Sequence, residues 1–330
     1  MGVKLKLLNE DTIYEHIFER YSLLQKNSQS VNQDLGIESR INGYLELSFE
    51  PTDKKSACKD SFSFEVSQSL SSLNSSRDNN NSTTGYVVWS TTPFFLKWLL
   101  YSKSGEQFQK GASIACEDDP LKQFCDVEPI FSACESNHDD QPFRQIVELG
   151  SGVAGILGIA LGNYVDKYVY TDQKALLARL EHNVAHNIDE LRLRSLETLT
   201  LHVESCRRTP QKLQLDMLSL DWENFDPNPA KLHSLLLPAR RAHVTIISMD
   251  VVYNEYLIEP YLRTLKGLLH AYRSKKHTVS ALLGIQLRDQ DVIETFLECA
   301  VRDFELNVHV IVDKMIEATR FDLFYVTLRD

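Results

Sequence analysis

No run of about 18 apolar residues occurs in this chain, so no membrane-crossing helix is expected. The opening segment MGVKLKLLNEDT lacks the apolar core of a secretion signal, and Lys6 stands where acylation at Gly2 would need Ser or Thr. Cysteine is sparse: six in all, none in a Cys-x-x-Cys pair. That excludes the usual zinc-ribbon and dithiol redox motifs. Cys116, Cys125 and Cys134 recur nine apart in a segment that reads as a loop, and free thiols in a reducing cytosol, with no metal site, are expected. His182 and His186 are four apart on a helix, but no His-Glu-x-x-His accompanies them. Basic residues are outnumbered, 35 Lys and Arg against 46 Asp and Glu, for a net charge of −11. That sign argues against direct nucleic-acid binding and suits a basic protein partner. Acidity also serves solubility alone. The expected location is the cytoplasm, with the nucleus as the alternative.

Glycine is scarce too, 13 in 330 residues, yet Gly150, Gly152 and Gly155 fall within six positions. They sit in QIVELGSGVAGILGIALGNYVDKYVYTD, residues 145–172. This reads as a short apolar strand, a glycine turn, an apolar helix, a second strand and a terminal Asp172. The whole is one βαβ unit of about 30 residues. Glycines let a backbone approach a ligand, and an acid at the second strand tip can accept from both ribose hydroxyls. Read literally, the three glycines with Asp172 about 20 residues on form a dinucleotide fingerprint, which would name NAD. Glu148 argues otherwise. A carboxylate two positions before the first glycine repels a pyrophosphate and suits a cationic ligand. S-adenosylmethionine has a ribose, an adenine, a sulfonium and an ammonium, and no phosphate.

Four motifs follow one another between residue 85 and about 255. They are Gly85-Tyr86-Val87-Val88-Trp89, Val147-Glu148-Leu149-Gly150-Ser151-Gly152-Val153-Ala154-Gly155, Leu220-Asp221-Trp222 and Asp250-Val251-Val252-Tyr253. Together they resemble the class I, seven-β-strand S-adenosylmethionine-dependent methyltransferases. More narrowly, they resemble the methyltransferase-like 21 group of protein-lysine methyltransferases. With its long inserts the chain is most similar to a fungal branch of that group that methylates a large-subunit ribosomal protein. The resemblance implies a Rossmann-like α/β fold, a mostly parallel seven-stranded sheet with an antiparallel last strand and helices on both faces. It implies a monomer.

It also implies a cofactor site for S-adenosylmethionine made by Trp89, Glu148, Gly150, Ser151, Gly152, Asp172, Asp221, Trp222 and Met249. The backbone of 150–152 would face the amino-acid part and Asp172 the ribose. Asp221 and Trp222 would flank the adenine, and Met249 would touch the adenosine. Asp250 and Tyr253 would position the substrate lysine. Core packing would equally account for Trp89 and Trp222, a helix cap for Asp172, and turn capping with sheet packing for Asp250 and Tyr253. Gly284-Ile285-Gln286-Leu287-Arg288 matches only loosely the pattern of relatives at a strand end that shapes the substrate channel.

In chain order, residues 1–84 read as an N-terminal extension. It has a helix over 10–25 with Ile13, Ile17, Phe18, Tyr21 and Leu24 on one face, and a hairpin from 41–50 and 61–67. A flexible Ser/Asn-rich loop covers 67–84. The methyltransferase domain then spans 85–330: a strand over 86–89, a helix opened by Thr92-Pro93, and a long acidic insertion at about 103–141, read as disordered. After Asp172 come a helix over 174–191 and strands over 196–203 and 213–220. The second of these strands runs into Leu220-Asp221-Trp222 and is the third core strand; the first is an extra strand, its hairpin partner. Then come a strand over 243–249, a helix opened by Glu259-Pro260, a strand over 278–285, a helix over 289–302 and a closing hairpin from 306–312 and 321–329. Two other functions compete. An NAD(P)-dependent oxidoreductase would use Tyr272 and Lys276, which have Tyr-x-x-x-Lys spacing but no suitably placed Ser upstream. A non-catalytic scaffold in ribosome assembly is opposed by the intact Asp172 and Asp250.

Overall fold

The computed structural model describes residues 2–26, 36–52, 56–73, 84–119, 121–132, 142–203 and 208–329. The chain opens on strand β1 (Lys4–Leu7) and helix α1 (Glu10–Lys26). A hairpin follows, β2 (Tyr44–Phe49) against β3 (Phe62–Ser67). Helices α2 (Thr91–Tyr101) and α3 (Lys103–Lys110) lead to a second hairpin, β4 (Ala112–Glu117) and β5 (Phe124–Val127). Then come β6 (Phe143–Leu149), α4 (Ile156–Gly162), β7 (Lys167–Asp172), α5 (Lys174–His186), β8 (Ser195–Glu197) and β9 (Lys212–Ser219). β10 (Ala242–Met249), α6 (Glu255–Ser274), β11 (Thr278–Gln286) and α7 (Gln290–Glu298) continue the alternation. β12 (Leu306–Val312) and β13 (Phe321–Leu328) close it as an antiparallel pair.

Eleven strands form one sheet in the order β5-β4-β1-β12-β13-β11-β10-β6-β7-β9-β8. Strands β9, β7, β6, β10 and β11 run parallel, and β13 lies antiparallel between β11 and β12. This is the expected parallel sheet with one reversed strand, widened at both edges. Parallel strands are buried on both faces and so read as continuous apolar runs. Every residue of β10, AHVTIISM, is buried. Alternate residues feed two separate cores: Ile146, Tyr168 and Ile247 on one face, Val147, Val169 and Ile246 on the other. The long helix α6 covers the second face with Ile258, Leu262, Leu265 and Leu269.

Several expectations are corrected. The segment 103–141 is not a disordered insertion: it carries α3, β4 and β5, with residue 120 and residues 133–141, including Cys134, outside the described residues. β4 is held by a partner far away in sequence, β1, through Leu5↔Cys116 and Lys6↔Glu117, and no local period announces such a pairing. β1 itself went unread. Residues 86–89 are not a strand but a tight turn, Thr84–Tyr86, and a single bridge between Ile37 and Trp89. A side chain does the work of a partner strand there, since Val88 N donates to Gln68 Oε1 at 3.0 Å. Residues 196–203 give only the three-residue β8, parallel to β9 and not its hairpin partner. Asp216 turns the chain aside, accepting from Leu199 N at 2.7 Å and from the Thr200 hydroxyl at 3.2 Å. α6 starts at Glu255, capped by the Asn254 side chain, and Pro260 lies inside it. Most of the Ser/Asn-rich stretch, residues 74–83, lies outside the described residues.

The hairpin β2–β3 forms its own two-stranded sheet, tied to the α5 segment where Asn183 and Asn187 accept from Ser67 N and Glu65 N at 2.9 and 2.8 Å. α1 docks by a buried ion network. Arg20 Nε donates to Asp322 Oδ1 at 2.6 Å, and His16 Nε2 lies 3.0 Å from Asp322 Oδ2. Arg20 also donates to the carbonyls of Ile316, Glu317, Thr319 and Phe321. Arg20 and Asp322 are 5% and 1% exposed, so removing one strands the other. Arg20→Ala is expected to lower the unfolding free energy in urea by about 3–5 kcal/mol; a loss under about 1 kcal/mol would mean the pair carries no weight.

Candidate functional site

The parallel strands β6, β7, β9 and β10 end at one rim, where open α/β sheets take their ligands. A cleft of about 790 Å³ opens there. Trp89, Gly150, Ser151, Gly152, Asp172, Asp221, Trp222, Met249, Asp250 and Tyr253 all line it. Glu148 does not. Strand alternation turns its side chain into the core beside Tyr168, whose hydroxyl donates to Glu148 Oε2 at 2.7 Å. Burial pushes its carboxyl up to about 7, against the Tyr168 bond that holds it down. Glu148 thus lies behind the cleft wall, not among the residues that line it.

The loop after β6 needs glycine on steric grounds. Gly150 has φ +75°, and a Cβ there would stand 2.7 Å from Val251 Cγ1 and 3.2 Å from the Trp222 ring. Gly152 has φ +56° and a Cβ would press on the Gly85 carbonyl oxygen at 3.1 Å. Asp172, at the tip of β7, holds the loop from the far side: its Oδ2 accepts from Gly152 N and its Oδ1 from Gln173 N, both at 2.7 Å. Burial raises its carboxyl to about 6, against those two N–H donors. The side chain still opens on the cleft, so solvent moderates the shift.

Across the cleft, Trp222 packs edge-on to Tyr261 at 5.2 Å, and its Nε1 is buried without a partner. Asp221 holds its own turn, accepting from Glu223 N at 3.1 Å and Asn224 Nδ2 at 2.7 Å. At the end of β10, Asp250 adopts φ +62°, a conformation that costs a non-glycine residue about 1 kcal/mol or more. Its N–H donates to Gly284 O at 2.7 Å, and its carboxylate is paired with Arg288. Burial raises the Asp250 carboxyl while Arg288 pulls it back down. The Arg288 guanidinium lies 4.5 Å from the centroid of the Trp89 ring and donates to Gln286 Oε1 at 2.9 Å. Sequence flagged this strand end only as a loose motif; that Arg288 turns back to bridge Asp250 and Trp89 is a tertiary fact.

The charge of the cleft is one-sided. Asp172, Asp221, Glu223 and Asp250 line it, and among the described residues no Lys, Arg or His does. The Arg288 guanidinium behind the wall is already paired with Asp250, so the lining is a poor match for a pyrophosphate. Nor do Tyr272 and Lys276 form a catalytic pair: the Tyr272 hydroxyl donates to Leu236 O at 2.8 Å, inside the core away from the cleft.

The sequence profile of the lysine methyltransferase family matches residues 68–299. The chain belongs to this family. Curated relatives agree along the whole length. The chain is 58% identical to "Ribosomal lysine N-methyltransferase 5" of Lachancea thermotolerans, over 99% of both chains. It is 44% identical to the protein of that name from Kluyveromyces lactis, over 99% of this chain and all of the other. The Saccharomyces cerevisiae protein of the same name is 39% identical over 99% of this chain. This lysine methyltransferase is thus an enzyme, and the dinucleotide reading of its glycine loop falls away. Among the described residues no helix is long and apolar enough to cross a membrane. Gly150→Ala should cost about 2 kcal/mol in urea unfolding, from a left-handed backbone and a crowded Trp222. Unchanged stability would mean the loop relaxes freely.

Proposed function

We propose that this lysine methyltransferase draws its methyl group from S-adenosylmethionine in the cleft at the strand ends and passes it to a lysine of a large-subunit ribosomal protein. The observation that carries the cofactor reading is the net acidic lining of the cleft, in which Asp172, Asp221 and Glu223 outweigh an Asp250 already paired with Arg288; it suits a ligand bearing a sulfonium and an ammonium but no phosphate. Gly150 and Gly152 let the loop pack close against Val251, Trp222 and Gly85, which draws the cleft walls together around that ligand. Bound there, S-adenosylmethionine supplies an electrophilic methyl carbon. The Asp172 carboxylate keeps lone pairs for the ribose hydroxyls beyond its two N–H bonds. Trp222 and Met249 offer surface to the adenosine, and Trp89 closes the near wall.

Attack needs a neutral amine, whereas a free lysine keeps its proton to about pH 10.4. Acids at the rim draw the cationic side chain in, and the apolar walls of Val88, Val251 and Leu257 then disfavour the ammonium. Asp250 is committed to Arg288, so it acts as a positioning residue through that pair and not as a free base. Tyr253 brings a phenol to the same rim to orient the amine. The ribosomal target rests on the names of the relatives and on the net charge of −11, which complements a basic protein.

S-adenosylhomocysteine at 100 times its dissociation constant should stabilise the chain by about 2.7 kcal/mol, read as a raised melting temperature. NAD should give no shift, and Asp172→Ala should abolish the first one. A shift with NAD alone overturns the cofactor reading. Labelled methyl groups should then appear on a lysine of a large-subunit protein; a shift without any label would leave a binding scaffold. Because Asp172 accepts best when ionised, affinity for S-adenosylhomocysteine should fall as pH drops through about 6. The fall should approach about tenfold per unit, and Asp172→Asn should flatten it. A flat profile in the unaltered chain would remove Asp172 from the ribose.

A further inference from the structure

Away from the cleft, three side chains with metal-ligand chemistry converge. They are Cys116 on β4, Cys125 on β5 and His309 on β12, and their ligand atoms all lie within 4.8 Å of one another. The sheet register brings them together. Leu5 of β1 pairs with Cys116 on one side and with Ile311 on the other, and His309 lies two residues from Ile311. Cys125 pairs with Ile114, two residues before Cys116. All three therefore project from the same face. His309 is 4% exposed, and its Nδ1 has no hydrogen-bond partner. A buried ring nitrogen left bare costs its desolvation unless something occupies it.

We propose that Cys116, Cys125 and His309 bind a soft divalent cation, zinc first among them, with a fourth coordination position left to water. Two thiolates and an imidazole are the donors zinc prefers, and two thiolate charges balance the ion. The buried His309 Nδ1 has no hydrogen-bond partner to compete with a metal. Neither thiol is in a disulfide. A Cys116–Cys125 disulfide would leave the bare His309 Nδ1 without a reason. An ion has a way in: Cys125 lines a groove whose other wall includes His243 and Thr278, at the amino ends of β10 and β11 and so opposite the methyl-transfer cleft. Bound there, it would staple the hairpin β4–β5 to β12 across β1. Spacing alone points to free thiols, because the third ligand stands far along the chain.

The test is metal analysis of the full chain purified without a metal-affinity tag. About one zinc per chain is expected, lost in Cys116→Ser and in Cys125→Ser while the far-ultraviolet circular dichroism stays unchanged. Cobalt(II) added to the demetallated chain should give a thiolate-to-metal charge-transfer band and the strong visible absorption of a four-coordinate site. That readout on the unaltered chain stands even if the variants fail to fold. No cobalt band, zinc retained in the double variant, or a Cys116–Cys125 disulfide found by mass would each overturn the proposal.

Discussion

A parallel sheet has to be covered on both faces, because its crossovers lay helices there. That constraint leaves the strand ends as the place where this chain can meet a ligand. The βαβ crossovers bring the loops after β6, β7, β9 and β10 to a single rim. Residues from 89 to 253 meet in one cleft as a result. The same constraint explains why Glu148 lies behind the cleft wall. One residue back from the end of β6, it still obeys strand alternation and points into the core.

The rim is braced in two places. On one side Asp172 grips the glycine loop through Gly152 N and holds Gln173 N just before the next helix. On the other, Asp250 in a left-handed backbone is held by Arg288, which stacks on Trp89. An ion pair whose carboxylate is fully buried is a poor source of net stability but a firm way to set a direction. Here it aligns the end of β10, the end of β11 and the segment before α2. Trp89 and Asp250 thus share one brace, and a change at Arg288 would be felt at both.

The edges of the sheet tell a different story from its centre. β1 and β4 add to β12 through pairings between segments more than a hundred residues apart, and β5 follows as the hairpin partner of β4. The buried Arg20–Asp322 pair fastens α1 beside them. These additions turn what looked like a loose insertion into a continuous edge, and they assemble the Cys116, Cys125 and His309 cluster.

Legibility follows the range of the interactions. The glycine loop, Asp172, the apolar run of β10 and the Asp-x-x-Tyr motif are local patterns, each with a local cause: a positive φ, a strand tip, burial on both faces. From these, the sequence by itself determined the central parallel sheet, most of the residues that line the rim and membership of a lysine methyltransferase family. It could not show where side chains point when alternation decides, as at Glu148, or where a short segment finds its hydrogen-bond partner, as at β4, β8 and the turn before Trp89. Only the tertiary structure decided that Arg288 pairs with Asp250 and that His309 stands beside two distant cysteines. The physical reason is the same in each case: these contacts depend on pairings whose two halves carry no signal until the chain has closed on itself.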